Sequence, residues 1–162
     1  MGIFEVRAWF QAQGIPEEIR EFSVSSATVE LAAQALGVAP QLIAKTLSFE
    51  TTDGAMLVLA AGDARVDNRK FREAFGFKAK MLSAEDALRF TGHAVGGVCP
   101  FALKNPLPVY LDSSLRRFPT VYPAAGSPAS CVVITPERLQ DITGGTYVDV
   151  CKLPDEQGEI DP

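Results

Sequence analysis

The sequence predicts an α+β fold, a single domain in which a mixed, mostly antiparallel sheet packs with short helices. Three observations carry this. Short apolar stretches with period-two alternation are interleaved with short amphipathic helical patterns, and turn signals join most of the strands. The chain has 162 residues, 47% of them hydrophobic, enough for one domain with a substantial core. No internal repeat, low-complexity segment or linker divides it. The domain is therefore expected over residues 1–154, followed by a loose tail over 155–162 that holds four acids and no base.

The elements follow in order. Ile3, Val6 and Phe10 have helical spacing, and Gly14 then Pro16 end that helix. Ile19 to Phe22 reads as a short strand. Ser26 caps a helix with Val29, Ala33 and Leu36 on its apolar face and Gly37 at its end. Pro40 opens a helical turn before a strand that carries Lys45. Thr51-Thr52-Asp53-Gly54 is a hairpin turn into the apolar run 55–61. A loop from Gly62 ends at Asp67, the cap of a basic helix that buries Phe71, Ala74 and Phe75 and stops at Gly76. Phe77 to Leu82 reads as a strand. Ser83 caps a helix with an acid at its third position, Leu88 facing inward and Gly92 at its end. Leu107 to Leu111 alternates as a strand, placed near an edge by Pro108. Two further strand segments, 120–125 and 131–134, flank the small-residue loop Gly126-Ser127-Pro128-Ala129-Ser130. Thr135-Pro136 starts the last helix, and Thr146 to Cys151 forms the last strand.

Composition narrows the function. No apolar run approaches the roughly 18 residues of a membrane span. The start, Met1 to Arg7, lacks the basic and apolar regions of a signal peptide, and Val6 stands where a myristoylation signal needs Ser or Thr. A cytoplasmic protein is the expectation. Three widely spaced cysteines, Cys99, Cys131 and Cys151, argue against both a disulfide framework and a zinc site. The net charge of −5 by itself disfavours nucleic acid, and no DNA partner is expected, yet residues 65–80 carry six bases against two acids. That stretch, with Arg69, Lys70 and Arg72 at its centre, either docks phosphates or is a solvated helix face.

Lys45 is the most informative residue. It shares a strand face with Leu47 and Phe49, which belong in the core. An ammonium in such a row either keeps its head in water at the strand's start or faces a ligand cavity. Gly96-Gly97-Val98-Cys99-Pro100-Phe101 offers backbone amides for a close approach, and the 126–130 loop offers hydroxyls. A cation, an amide loop and hydroxyls, without an evident nucleophile, suit hydrolysis of an already activated bond such as an aminoacyl ester. His93 is the only histidine and reads as a surface residue past a helix end, with Cys99 as loop filler. A thiol hydrolase built on these two is the weaker reading.

At these residues the chain resembles the YbaK/ProX aminoacyl-tRNA deacylases, free-standing relatives of the editing domain inserted in bacterial prolyl-tRNA synthetase. Four segments carry the resemblance in order: Leu36-Gly37-Val38 with Ile43 to Leu47; Gly62 to Asp67; Thr91 to Phe101; and Ala124 to Pro128. The resemblance implies a mixed α/β fold and trans-editing hydrolysis of mischarged tRNA that carries a small amino acid. It implies no metal and no cofactor, and aminoacyl-tRNA as partner, with an aminoacyl-tRNA synthetase as a further one. Lys45 becomes the functional lysine near the terminal adenosine, and Gly96 to Pro100 resembles the Gly-x-x-x-Pro loop that positions the scissile carbonyl and water. The resulting assignment gives catalysis to Lys45, Gly97 and Ser127. Substrate binding falls to Thr46, Asp63, Arg65, Gly96, Val98, Cys99, Pro100, Phe101, Gly126 and Ser130. tRNA binding falls to Arg69, Lys70 and Arg72. Many relatives carry histidine in the loop where Ser127, Ala129 and Ser130 stand here, and serine does not titrate near neutrality. The alternative is a non-catalytic module that binds aminoacyl-tRNA or a synthetase in the same pocket.

Overall fold

The computed structural model describes residues 2–23 and 28–154. The first helix, α1 (Ile3–Gln13), buries Val6 and Phe10. After β1 (Ile19–Glu21), helix α2 (Val29–Leu36) is capped by Thr28, whose Oγ1 accepts from the Leu31 N–H; the cap expected at Ser26 lies outside the described residues. A 3-10 turn over Pro40–Leu42 leads into β2 (Ile43–Thr51), which turns tightly into β3 (Gly54–Ala61). Then come β4 (Arg65–Val66) and α3 (Asn68–Phe75), where the Asp67 carboxylate accepts from the Arg69 and Lys70 N–H groups. Helix α4 (Ala84–Thr91) is capped by the Ser83 hydroxyl. The remainder is β5 (Val109–Asp112), a 3-10 turn over Ser113–Arg117, β6 (Tyr122–Pro123), β7 (Ser130–Val132), α5 (Pro136–Thr143) with its Thr135 cap, β8 (Thr146–Val148) and β9 (Cys151–Lys152). Each cap satisfies an N–H group that the first helical turn leaves without a partner.

Among the described residues, the strands form one five-stranded sheet in the order β6-β2-β3-β5-β8 and two small antiparallel pairs, β1–β7 and β4–β9. The longest ladder is the antiparallel β2–β3 hairpin, from Ala44 opposite Ala61 to Thr51 opposite Gly54. The other three junctions of the large sheet are parallel. Parallel neighbours need long crossovers, and the segment carrying α3 and α4 supplies the one from β3 to β5. The α+β expectation with a mixed sheet therefore holds, and the parallel junctions are its non-local part.

The apolar run from Ala55 to Ala61 stays buried throughout, as befits a strand covered on both faces. On one face α3 places Phe71 4.9 Å from Phe49 and Phe75 4.8 Å from Tyr110, ring centre to ring centre. Elsewhere in the core Phe10 of α1 meets Phe101 edge-on at 5.1 Å. Fully burying a ring, as at Phe49, Phe71 and Phe101, contributes roughly 1.5–3 kcal/mol. Among the described residues no helix is long and apolar enough to cross a membrane.

Several local expectations need correction. Phe77 to Leu82 is not a strand: Met81 makes a single bridge to Phe49, because the Ser83 cap starts α4 at once. Leu88 points outward at 48% exposure while Ala87 and Thr91 are buried, and Ala74 is exposed on α3. Pro108 precedes β5 rather than marking an edge, since β5 lies between β3 and β8. The segment 146–151 splits into β8 and β9, which join different sheets.

Candidate functional site

A cavity of about 470 Å³ opens on the face of β2 formed by Ala44, Thr46 and Ser48. Val29, Ala32 and Leu36 of α2 wall one side, and Ala84 and Ala87 of α4 another. The loops contribute Gly96, Val98, Ser127 and Pro128, with Ser130 and Cys131 of β7 beside them. Met81 and Val95 are lining residues that stay 53% and 64% exposed, so the rim is apolar. Thr46 Oγ1 is buried and has no hydrogen-bond partner among the described residues. A buried hydroxyl without a partner carries a desolvation cost that a bound ligand can remove.

Lys45 follows Ile43 in the opposite row of β2, the row of Phe49 and the α3 contact. It is half-buried and borders both the main cavity and a second depression of about 440 Å³ lined by Val29, Glu30, Gly62, Asp63, Arg65 and Pro154. Its Nζ donates to the Ala64 carbonyl. Desolvation is the main cause that pushes its pKa below the ordinary lysine value, and Arg65 pushes the same way against Cys151, Asp63 and Glu30. Asp63 does not neutralise the ammonium directly. Its carboxylate accepts a two-pronged bond from Arg117, at 2.6 and 3.2 Å.

The two glycine loops meet backbone to backbone. A Cβ on Gly97 would lie 2.6 Å from Ser127 N and 2.7 Å from Gly126 C and O. Gly126, at φ +96°, is in turn covered by Gly2 and Val6 of the α1 start: a Cβ there would lie 2.7 Å from Gly2 C and 2.9 Å from Val6 Cγ2. Only glycine fits both the conformation and the space. The Gly97 N–H donates to the Ala94 carbonyl at 2.9 Å, so it is not free for a ligand as the sequence reading requires. The Gly96 and Val98 N–H groups have no acceptor among the described residues. In the facing loop the Ser127 and Ser130 hydroxyls bond each other at 2.8 Å.

His93 overturns its sequence reading as a surface residue. It is fully buried, and its Nε2 lies 2.7 Å from the Phe101 carbonyl and 3.6 Å from Cys99 Sγ. A carbonyl only accepts, so Nε2 carries the proton and has no lone pair for the thiol. Burial pushes the Cys99 thiol up to about 12 and holds the imidazole below its usual range. These neighbours therefore pin the loop and do not make a thiolate nucleophile. His93 Nδ1 has no partner among the described residues.

Of the residues singled out from the sequence, the main cavity gathers Lys45, Thr46, Gly96, Val98, Ser127 and Ser130. Asp63 and Arg65 line the second depression. Gly97 and Gly126 form the seam between the loops and lie behind the cavity wall. Cys99, Pro100 and Phe101 are buried and turn away from it; Phe101 packs on Trp9 and Phe10. Arg69, Lys70 and Arg72 ride on α3, against the sheet face opposite the cavity. Arg69 lies 3.5 Å from Glu73, and Lys70 bonds Asp149 and the Cys151 carbonyl. The sequence reading missed Ser48 and the apolar wall from α2 and α4. Ser48 was within reach, because Ala44, Thr46 and Ser48 form the period-two row complementary to that of Lys45. Among the described residues no three His, Cys, Asp or Glu side chains group closely enough to hold a metal ion.

Comparison with known proteins agrees with this architecture. The uncharacterized protein YwhH of Bacillus subtilis is 48% identical over 154 residues, covering 94% of this chain and 98% of that protein. A proline–tRNA ligase of Lysinibacillus sphaericus is 28% identical over 141 residues, covering 82% of this chain but only 24% of that enzyme. A crystal structure assigned provisionally as a trans-editing enzyme for prolyl-tRNA synthetase superposes with a TM-score of 0.86 at 32% identity, covering 93% of this chain and 96% of the other. The family model of the aminoacyl-tRNA editing domain matches residues 24–142. With most of its length so matched, the chain belongs to the aminoacyl-tRNA editing domain family.

Proposed function

We propose that this protein is a trans-acting deacylase, which hydrolyses the ester of mischarged tRNA carrying a small amino acid. One observation carries the reading: Thr46, Gly96 and Val98, whose Oγ1 and backbone N–H groups have no partner among the described residues, line a cavity bordered by a half-buried lysine. The volume of about 470 Å³ lies in the range of small-molecule sites. It leaves room for a terminal nucleoside as well as a small side chain.

In this reading water adds to the ester carbonyl, and the developing oxyanion takes hydrogen bonds from the Gly96 and Val98 N–H groups. The carbon–oxygen bond to the ribose then breaks. The ribose oxygen takes up a proton, and the amino acid leaves as the free acid. Lys45 supplies positive charge at the edge of the cavity, close to where an incoming nucleotide's phosphate would pass. Thr46 and the Ser127–Ser130 pair bound the side-chain space and set which amino acid fits. An already activated ester needs no covalent intermediate, in keeping with the buried, proton-bearing state of Cys99.

The test is single-turnover hydrolysis of a panel of aminoacyl-tRNAs. The expected result is release of one or a few small amino acids and retention of the rest. The mutual bonding of Ser127 and Ser130, where a titratable group is absent, favours the second reading of a binding module. Saturable binding of charged tRNA without turnover across the panel would establish that reading and end the first.

A further inference from the structure

An RNA strand whose 3′ end occupies the cavity has to leave it, and the charges outside the cavity indicate where. The main cavity and the second depression share Val29 and Lys45. Past Lys45 and the Gly62–Ala64 loop lies the β4–β9 ladder, in which Arg65 stands directly opposite Lys152. Such opposite residues share a sheet face with Cβ atoms about 5 Å apart, and like charges there repel. The alternate row of the same ladder, Val66 and Cys151, turns inward. Neither Arg65 nor Lys152 forms an ion pair among the described residues.

The nearby carboxylates are largely engaged. Asp63 is held by the Arg117 guanidinium. Asp67, which Lys152 approaches, accepts the α3 cap bonds from Arg69 and Lys70. Glu30 of α2 lines the depression and opposes an anion there. The Lys45 ammonium adds a third cation near Arg65. The result is a line of positive charge that starts at the cavity edge and ends on a two-residue ladder built with like charges abreast.

We infer that Arg65 and Lys152 form a phosphate track for the RNA strand that leaves the cavity past Lys45, so that the backbone crosses the β4–β9 ladder and not α3. The inference rests on the reading of the cavity as the seat of an aminoacylated RNA 3′ end. A phosphate between the two side chains relieves their repulsion, which gives the pair a physical reason to face the same way. The contact reads charge and not sequence, since phosphates carry no base identity.

The test measures affinity for an uncharged tRNA transcript across a salt series, alongside thermal melts. Each lost phosphate contact on a single strand flattens the dependence of log affinity on log salt by about 0.7. Arg65→Ala/Lys152→Ala should therefore lower the slope by about 1.4. The charge-keeping pair Arg65→Lys/Lys152→Arg should retain it, which separates charge from any disturbance of the ladder. Arg69→Ala/Arg72→Ala on α3 should leave the slope as in the wild type. An unchanged slope in the Arg65/Lys152 double variant, or a loss that appears instead in the α3 variant, overturns the track. Wild-type protein that binds tRNA with this salt signature but hydrolyses no charged tRNA ends the deacylase reading and leaves the track standing. Wild-type hydrolysis with no loss of slope in the double variant does the reverse.

Discussion

Replacing Lys45 by methionine isolates the charge at the edge of the proposed site. Methionine keeps an unbranched apolar stem in the half-buried row of β2 and removes only the ammonium. Loss of one preorganised electrostatic donor costs about 10²–10³ in rate, or roughly 2.7–4 kcal/mol of barrier. Stability responds to two opposing contributions. The variant loses the hydrogen bond from Nζ to the Ala64 carbonyl, a bond to a charged group worth roughly 1.5–3 kcal/mol. It also removes the desolvation that depresses the lysine pKa. These act in opposite directions, so the melt should shift by less than the roughly 3 kcal/mol that the hydrogen bond alone could cost, while single-turnover deacylation falls at least about a hundredfold. Lys45→Arg should rescue poorly, because a planar guanidinium is larger and spreads its charge. The pH dependence gives a second readout. A lysine with a depressed folded-state pKa binds its proton more tightly when unfolded. Its contribution therefore raises stability as pH climbs through the folded value towards the ordinary 10.5, and it is fully present only above that. Lys45→Met should abolish this alkaline gain. Wild-type hydrolysis by Lys45→Met, with the fold intact, would refute the site and the mechanism together.

Gly97→Ala forces a methyl to within 2.7 Å of three backbone atoms of the facing loop, so it should cost about 1–3 kcal/mol in a denaturant melt. It should also slow deacylation by about a hundredfold through loop displacement, and unchanged values in both assays would contradict the seam. Cys99→Ala should keep turnover, and thiol alkylation should leave the enzyme active, because the thiol is buried and pushed up to about 12. A trapped thioester on Cys99 would reverse this. Burial holds the His93 imidazole below its usual range, so the unfolded chain takes up its proton first. Stability should therefore fall as pH drops below about 6.5, and His93→Gln, which keeps a donor for the Phe101 carbonyl, should flatten that fall. Equal pH dependence in both proteins would remove His93 as its source. Ser127→Leu should shift preference among charged tRNAs towards smaller amino acids, and an identical preference profile would take this loop out of the pocket.

Local chemistry was legible in the sequence, and non-local pairing was not. The caps at Asp67, Ser83 and Thr135 and the Thr51–Gly54 turn depend on a few adjacent residues, so the sequence displays them directly. The parallel junctions of β5 depend on crossovers many residues long, and no local pattern records them. The same division runs through the site. Lys45 betrayed itself as a charge in an apolar row, and the row beside it held Thr46 and Ser48 in plain alternation. The amides of the 96–101 loop looked equivalent. The fold separates them, because Gly97 bonds Ala94 and Phe101 turns towards α1, an element some ninety residues earlier whose packing partner no short-range signal names. His93 followed a helix stop and so looked exposed; its burial comes from the loop closing over it to the Phe101 carbonyl.

The seam of Gly2, Gly126 and Gly97 also limits how this pocket can diverge. Three main chains lie on one another there without a side chain between them, so none can move without the others. A lineage that adapts the pocket to a different amino acid gains no room at this seam. New room has to come from the side chains at Thr46, Ser48, Ser127 and Ser130 or from the wall of α2. Diversity should therefore gather at those positions while the seam stays glycine. A 126–130 loop transplanted from a relative should work only when the start of α1 travels with it.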